Sequence, residues 1–439
     1  IIADDVGFSD IGAFGSEIRT PNLDQLAADG VRLTNYHAAP TCGPSRSMLL
    51  TGVDHHLAGS GINRAGLFRL PELRGRPGYE GFLNDSVVTF ATLLRDSGYH
   101  TYATGKWDPG TQPGQLPFDH GFEKSFVLAA GGASHFADMA GTTRPVAVVP
   151  YYEDDRKVDK LPEDFFSSEF YTDRIIDYIE SNDDDAPFLA YLSYTAAHWP
   201  LQVPDDWLDR YDDQYEEGWH EVRRARFNRQ KDAGVVPPHT QMSPEHPSVQ
   251  NWDDLLPAQR EVELKRMRIY AAMIENMDFH IGRLLTELRE RDSERETFMI
   301  FVSDNGAEGN AIDGIMDNAY WIPSNFDNRI DNIGRQGSYQ WQGLGWAQAS
   351  VAPFHLHKSY TTAGGLRTPA IVYSSSGRTG GENRDAIGTV RAIAPTILAL
   401  AGVENPDGRY RGRLVHKRSG SSMLDYLAGD AETVHGNEP

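Results

Sequence analysis

A chain of 439 residues with 39% hydrophobic content can bury a large core, and it reads as one big α/β domain rather than several small ones. A net charge of −22 argues against nucleic acid as a partner, and no apolar run is long enough to span a bilayer. The same charge opposes anionic ligands, so an anion site here must be assembled locally from cations and metal.

The predicted elements alternate between strand and helix. Residues 1–3 read as the end of a buried strand, so the chain is expected to begin inside an element with no leader that would reveal its compartment. A soluble protein is expected, cytoplasmic or periplasmic if bacterial. Thr20 and Pro21 open a helix over residues 22–29, Thr as cap and Pro at the first position, and Gly30 stops it. Residues 31–37 form a strand. A helix follows Pro44, with Cys42 just before its N-terminus. Residues 88–97 are helical and stop at Gly98, and residues 99–104 are the next strand. A helix over 171–182 leads to the apolar strand 188–194. Leu264, Met267, Ala271, Ile274 and Met277 give helical spacing to residues 257–291. Strands at 298–302 and 369–373 and a helix at 389–401 complete the series. Apolar strands between amphipathic helices predict a three-layer α/β/α sandwich around a large, mostly parallel sheet.

Residues 1–402 thus read as one α/β domain, with 403–439 following it. Two stretches break the rhythm. Residues 205–256 are polar and rich in both charges, as in an insertion or part of a lid. Residues 307–350 lack periodicity but carry Tyr320, Trp321, Phe326, Tyr339, Trp341 and Trp346, and a loop that long predicts an ordered pocket wall.

Cys42 is the only cysteine, so it has no disulfide partner within the chain and is either apolar filler or a reactive group. Its place before a helix N-terminus favours negative charge. In open α/β sheets ligands sit at the carboxyl ends of the strands. The polar residues there are Asp4-Asp5, Gly105-Lys106, His198 and Ser303-Asp304-Asn305-Gly306. Singly, each Asp is most often a turn or helix cap. Together, Asp4, Asp5, Asp304 and Asn305 are an all-oxygen set suited to Ca²⁺ or Mg²⁺ rather than Zn²⁺.

The run Cys42-Gly43-Pro44-Ser45-Arg46, continued by Leu49, Thr51 and Gly52, resembles the maturation signature of the type I sulfatases. The resemblance extends from Ile1 to near the C-terminus, and is closest to bacterial arylsulfatases of the alkaline phosphatase superfamily; it implies that 1–402 is the catalytic domain and that 403–439 start a C-terminal subdomain expected to be incomplete, stopping at Gly436-Asn437-Glu438-Pro439. It implies that a formylglycine-generating enzyme oxidises Cys42 to formylglycine, whose hydrate is the nucleophile. By the same resemblance Asp4, Asp5, Asp304, Asn305 and the converted Cys42 bind a divalent metal, Ca²⁺ ahead of Mg²⁺. Arg46 would hold the hydrate, and Lys106 would contact both it and the sulfate. His198 would be the general acid and Lys358 a second sulfate-binding lysine. The implied activity is hydrolysis of small sulfate esters, aryl sulfates foremost. Two alternatives stand beside it: a phosphonate or phosphate monoester hydrolase with the same machinery, and a non-catalytic metal- and anion-binding homologue. One position departs from the family. Asp108 stands where the family has the histidine that assists collapse of the sulfated intermediate, while His120 fits a structural part of the pattern. A substitute base and a slowed second half-reaction are therefore expected.

Overall fold

Side chains along the strands enter two separate cores by turns, which is what a sheet covered on both faces requires. Tyr102, Leu128, Leu192, Phe301 and Ile371 belong to one core, and Ala103, Val127, Tyr191, Val302 and Val372 to the other. The computed structural model describes residues 1–291, 296–315, 317–377 and 380–435. The sheet is built from β1 (Ile2–Ala3), β2 (Val31–Leu33), β3 (His100–Lys106), β4 (Lys124–Leu128), β5 (Tyr151–Glu153), β6 (Arg156–Val158), β7 (Phe188–Ser193), β8 (Phe298–Ser303), β9 (Ala370–Ser374) and β10 (Glu382–Arg384). Their spatial order is β10-β2-β9-β8-β1-β7-β3-β4-β5-β6. The central run β8-β1-β7-β3-β4 is wholly parallel. By contrast β9 is antiparallel to both its neighbours, and β5 and β6 add an antiparallel edge.

The first core is covered by α1 (Pro21–Asp29), α4 (Ser167–Glu180), α5 (Gly218–Asp232), α6 (Pro257–Arg291) and α7 (Leu344–Ser350), and the second by α2 (Cys42–Thr51), α3 (Phe90–Asp96) and α8 (Ile393–Leu400). The expected three layers are present. Among the described residues no helix is long and apolar enough to cross a membrane. A cavity of about 380 Å³ lies at the amino ends of the strands, lined by Ile1, Phe188 and Phe298, where β7 and β8 extend beyond the short β1. It is at the opposite end of the sheet from Asp4.

Some boundaries differ from expectation for local reasons. The strand predicted over 31–37 is broken at Thr34 and Asn35, whose backbones engage Arg384 and Gly388; Tyr36–His37 instead pairs with Gly388–Thr389 in a separate ladder. The helix predicted from residue 88 starts at Phe90, because Thr89 caps it by accepting from the Thr92 N–H at 3.1 Å. Residues 205–256 contain α5, and their Trp219, Val222, Phe227 and Trp252 are in the first core. Within 307–350, Trp321, Phe326, Tyr339 and Trp341 cluster with Trp199, whereas Tyr320 is 81% exposed. Trp346 lies apart from that wall. It sits on α7 and packs edge-on against Trp219 and Trp252. Past residue 402, Met423, Tyr426 and Leu427 pack into the second core; residues 436–439, where the chain was expected to stop short, lie outside the described residues.

Candidate active site

Four consecutive strands of the sheet deliver side chains to one point. Asp4 and Asp5 follow β1, Asp304 and Asn305 follow β8, Lys106 ends β3, and Ser193 ends β7. Cys42 is the first residue of α2, one place inside the helix rather than before it, with Thr41 in extended conformation as its cap. Its Sγ lies 3.4 Å from Asp4 Oδ1 and 3.9 Å from Asp5 Oδ1. Ligand atoms of Asp4, Asp5, Cys42 and Asp304 are all within 4.8 Å of one another, and all four residues are buried.

Each buried carboxylate has a cationic partner. Lys106 Nζ donates to Asp4 Oδ2 at 2.7 Å, Arg46 Nε to Asp304 Oδ2 at 2.8 Å, and Lys358 Nζ to Asp5 Oδ2 at 2.8 Å. Arg46 is held further by the Lys106 carbonyl at 2.9 Å and by the Ser193 hydroxyl. Its other terminal nitrogen, Nη2, has no hydrogen-bond partner and is 3.9 Å from Asp4 Oδ2. Lys358 reaches the site because its own N–H donates to the Ala307 carbonyl at 3.0 Å, in the loop that carries Asp304.

Burial and pairing set the ionisation. Burial raises the Asp4 carboxyl to about 7 despite Lys106, the nearby Asp304 and Asp5 adding to the rise. Burial would also raise Asp5, but Lys358, His198 and Lys106 bring it down to about 2. Burial, with Asp304, pushes the Cys42 thiol well up. Burial alone would lower Lys106 and Lys358, yet Asp4 and Asp5 respectively hold them above the ordinary lysine range.

The donor set fits a hard cation. Asn305 donates Nδ2 to Asp5 Oδ1 at 2.7 Å, and its Oδ1 is buried without any hydrogen-bond partner. An orphaned carbonyl oxygen beside three clustered carboxylates lacks only a positive partner.

His198 faces the same point, with Nε2 3.8 Å from Asp5 Oδ2. Its Nδ1 is 2.6 Å from the Trp199 carbonyl, and burial holds its pKa well below the usual histidine value. The imidazole stacks on Trp199 with centroids 4.6 Å apart, joining it to the wall of Tyr339 and Trp321. Asp108 takes a left-handed backbone, φ 76°, and its buried carboxylate lies against Gly43 and Gly131 at the start of α2. His120 is elsewhere, packed on Trp107. Two side chains escaped sequence reasoning. Ser193 looks like an ordinary strand residue, and Glu308 like loop polarity; only the spacing of Glu308, four residues after Asp304, hinted at the site.

Comparison with known proteins gives a consistent result. A family model described as "Sulfatase" matches residues 1–403. A Schizosaccharomyces pombe protein described as an uncharacterized sulfatase is 40% identical over 99% of this chain and 79% of its own length. A Klebsiella aerogenes arylsulfatase is 38% identical over 92% of this chain and 86% of its own length. Among solved structures, Ps i-CgsB in complex with k-i-k-neocarrahexaose superposes with a TM-score of 0.67 at 22% identity, covering 100% of this chain and 77% of that one.

Proposed function

The chain belongs to the sulfatase family and is a sulfuric ester hydrolase, and from that premise we propose that it hydrolyses small aryl sulfates through a formylglycine derived from Cys42 and a bound divalent metal. The observation that carries this reading is the convergence on Cys42. Asp4 and Asp5 lie within 4 Å of its sulfur, and each of those carboxylates also holds an ammonium, Lys106 and Lys358.

Asp4, Asp5, Asp304 and Asn305 would hold the metal, Ca²⁺ in preference to Mg²⁺, because an all-oxygen set without rigid octahedral demands suits the larger ion. When bound, the metal would supply Lewis-acid activation to an oxygen of the hydrated aldehyde at residue 42. The unpartnered Nη2 of Arg46 is available to an oxygen on that residue. Lys106 and Lys358 each use N–H groups on a carboxylate and offer the remainder to sulfuryl oxygens, where charge develops. With Nδ1–H donated to the Trp199 carbonyl, His198 presents Nε2 to the leaving-group oxygen and, as the imidazolium beside Asp5, donates a proton there. Asp108, at the start of α2, takes the proton whose removal expels sulfate, in place of the family histidine. The Trp199, Tyr339 and Trp321 wall beside His198 suits a planar aryl group.

The test is co-expression with a formylglycine-generating enzyme, followed by mass analysis of the peptide carrying residue 42 and assay with 4-nitrophenyl sulfate. The expected result is a peptide that has exchanged its sulfur for an aldehyde, with equimolar release of phenol and sulfate that C42A abolishes. An unmodified thiol in a protein without activity would refute it. Chelation should abolish activity, and Ca²⁺ should restore more of it than Mg²⁺.

A further inference from the structure

Glu308 stands where anion binding alone does not call for a carboxylate. It is 5% exposed, in the loop after Asp304 and Asn305. Its Oε2 lies 3.4 Å from Lys358 Nζ and 3.5 Å from the indole nitrogen of Trp199. Its Oε1 accepts from the Asn310 backbone N–H at 2.8 Å and from the Asn310 side-chain amide. Lys358 is already paired with Asp5, so a second carboxylate beside it withdraws positive potential from the place where the anion is read.

Charges around the site show the consequence. Asp4 pairs with Lys106, Asp304 with Arg46 and Asp5 with Lys358. Among the described residues, Glu308 and Asp108 are the carboxylates at the site in excess of these pairs. Five carboxylates thus face the three cations Lys106, Arg46 and Lys358, an excess that a divalent cation on Asp4, Asp5, Asp304 and Asn305 would about offset. A sulfate monoester carries one negative charge. A phosphate monoester carries two above its second ionisation near pH 6 or so. In a dry site each further unit of like charge is costly.

We propose that Glu308 is a specificity-determining residue, whose negative charge beside Lys358 excludes dianionic phosphate monoesters in favour of monoanionic sulfate esters. The proposal rests on the sulfate-binding role of Lys358 given above. Asn310 and Trp199 hold the carboxylate at its place, so its charge acts from a defined position on whatever Lys358 binds.

The experiment has two readouts at pH 8. One is kcat/KM for 4-nitrophenyl sulfate and 4-nitrophenyl phosphate in the parent, E308Q and E308D. The other is calorimetric Kd of phenyl sulfate and phenyl phosphate on the C42A protein, with and without E308Q. The phosphate-to-sulfate ratio should rise about tenfold or more in E308Q in both readouts, and stay near the parent value in E308D. Equal losses for both substrates would overturn the proposal and leave Glu308 a support for its loop. Should E308Q not fold, the C42A protein alone decides. It should bind a monoanionic aryl phosphonate monoester more tightly than a dianionic aryl phosphate, and the reverse order overturns the charge rule. K358A on the C42A background separates the two readings. Unchanged phenyl sulfate binding there would refute the role of Lys358, whereas lost binding with an unchanged E308Q ratio would refute only that of Glu308.

Discussion

His198 owes its orientation to its neighbours more than to its own backbone. Nδ1 is tied to the Trp199 carbonyl, the ring lies on the indole, and a Cβ at Gly132 would come within 2.8 Å of Cε1. A proton donor is worth most when the departing oxygen is a poor leaving group. H198A should therefore slow weakly acidic phenyl or alkyl sulfates by about 10²–10⁴-fold and 4-nitrophenyl sulfate far less. The measurement is the dependence of kcat/KM on leaving-group pKa, and a parallel drop for all esters would remove the acid role. Asp108 is the base proposed for the release of sulfate. D108H should raise steady-state turnover, about tenfold if proton removal limits the second half-reaction. In stopped-flow traces the parent should show a burst of phenol that D108H abolishes. No gain would mean that residue 108 does not carry that proton.

Among the elements, α5 has the least expected role. It lies within the stretch read as an insertion, yet its Arg226 is fully buried and reaches the loop that follows Asp4 and Asp5. Arg226 pairs with Asp10, and with Glu17 at 2.6 Å. The hydroxyl of Tyr270, on α6, lies 2.7 Å from Asp10 Oδ2 and 3.1 Å from the Asp5 carbonyl. The helix thus braces Asp5 through two side chains. Removing one partner of a buried pair leaves the other charge uncompensated, so R226A should destabilise by about 3–5 kcal/mol. Urea unfolding measures this, and a loss below about 1 kcal/mol would show that Asp10 finds another partner.

At the scale of the molecule, buried histidines set the acid limit. Burial holds His120 at a pKa of about 4, and burial with Arg283 does the same for His280, against an ordinary 6.5. Between these values the unfolded chain binds more protons than the folded one. Stability from these groups is therefore present above pH 6.5 and is lost as pH falls towards 4, by up to about 3 kcal/mol each. Denaturant midpoints between pH 7 and 4.5 should fall less steeply for H120Q than for the parent, and identical slopes would contradict the assignment of His120. The periodicities that made the layers, the motif around Cys42 and the oxygen-rich strand ends were legible in the chain alone, because these are properties of neighbours in the chain. The sequence could not show that Asp5 meets Lys358 across 353 residues, that Glu308 shares that lysine, or that Trp346 packs in a core while Tyr339 lines the wall beside His198. Those facts depend on how β1, β7 and β8 are ordered across the sheet. Only that order turns distant residues into neighbours, and burial there converts surplus charge into selectivity.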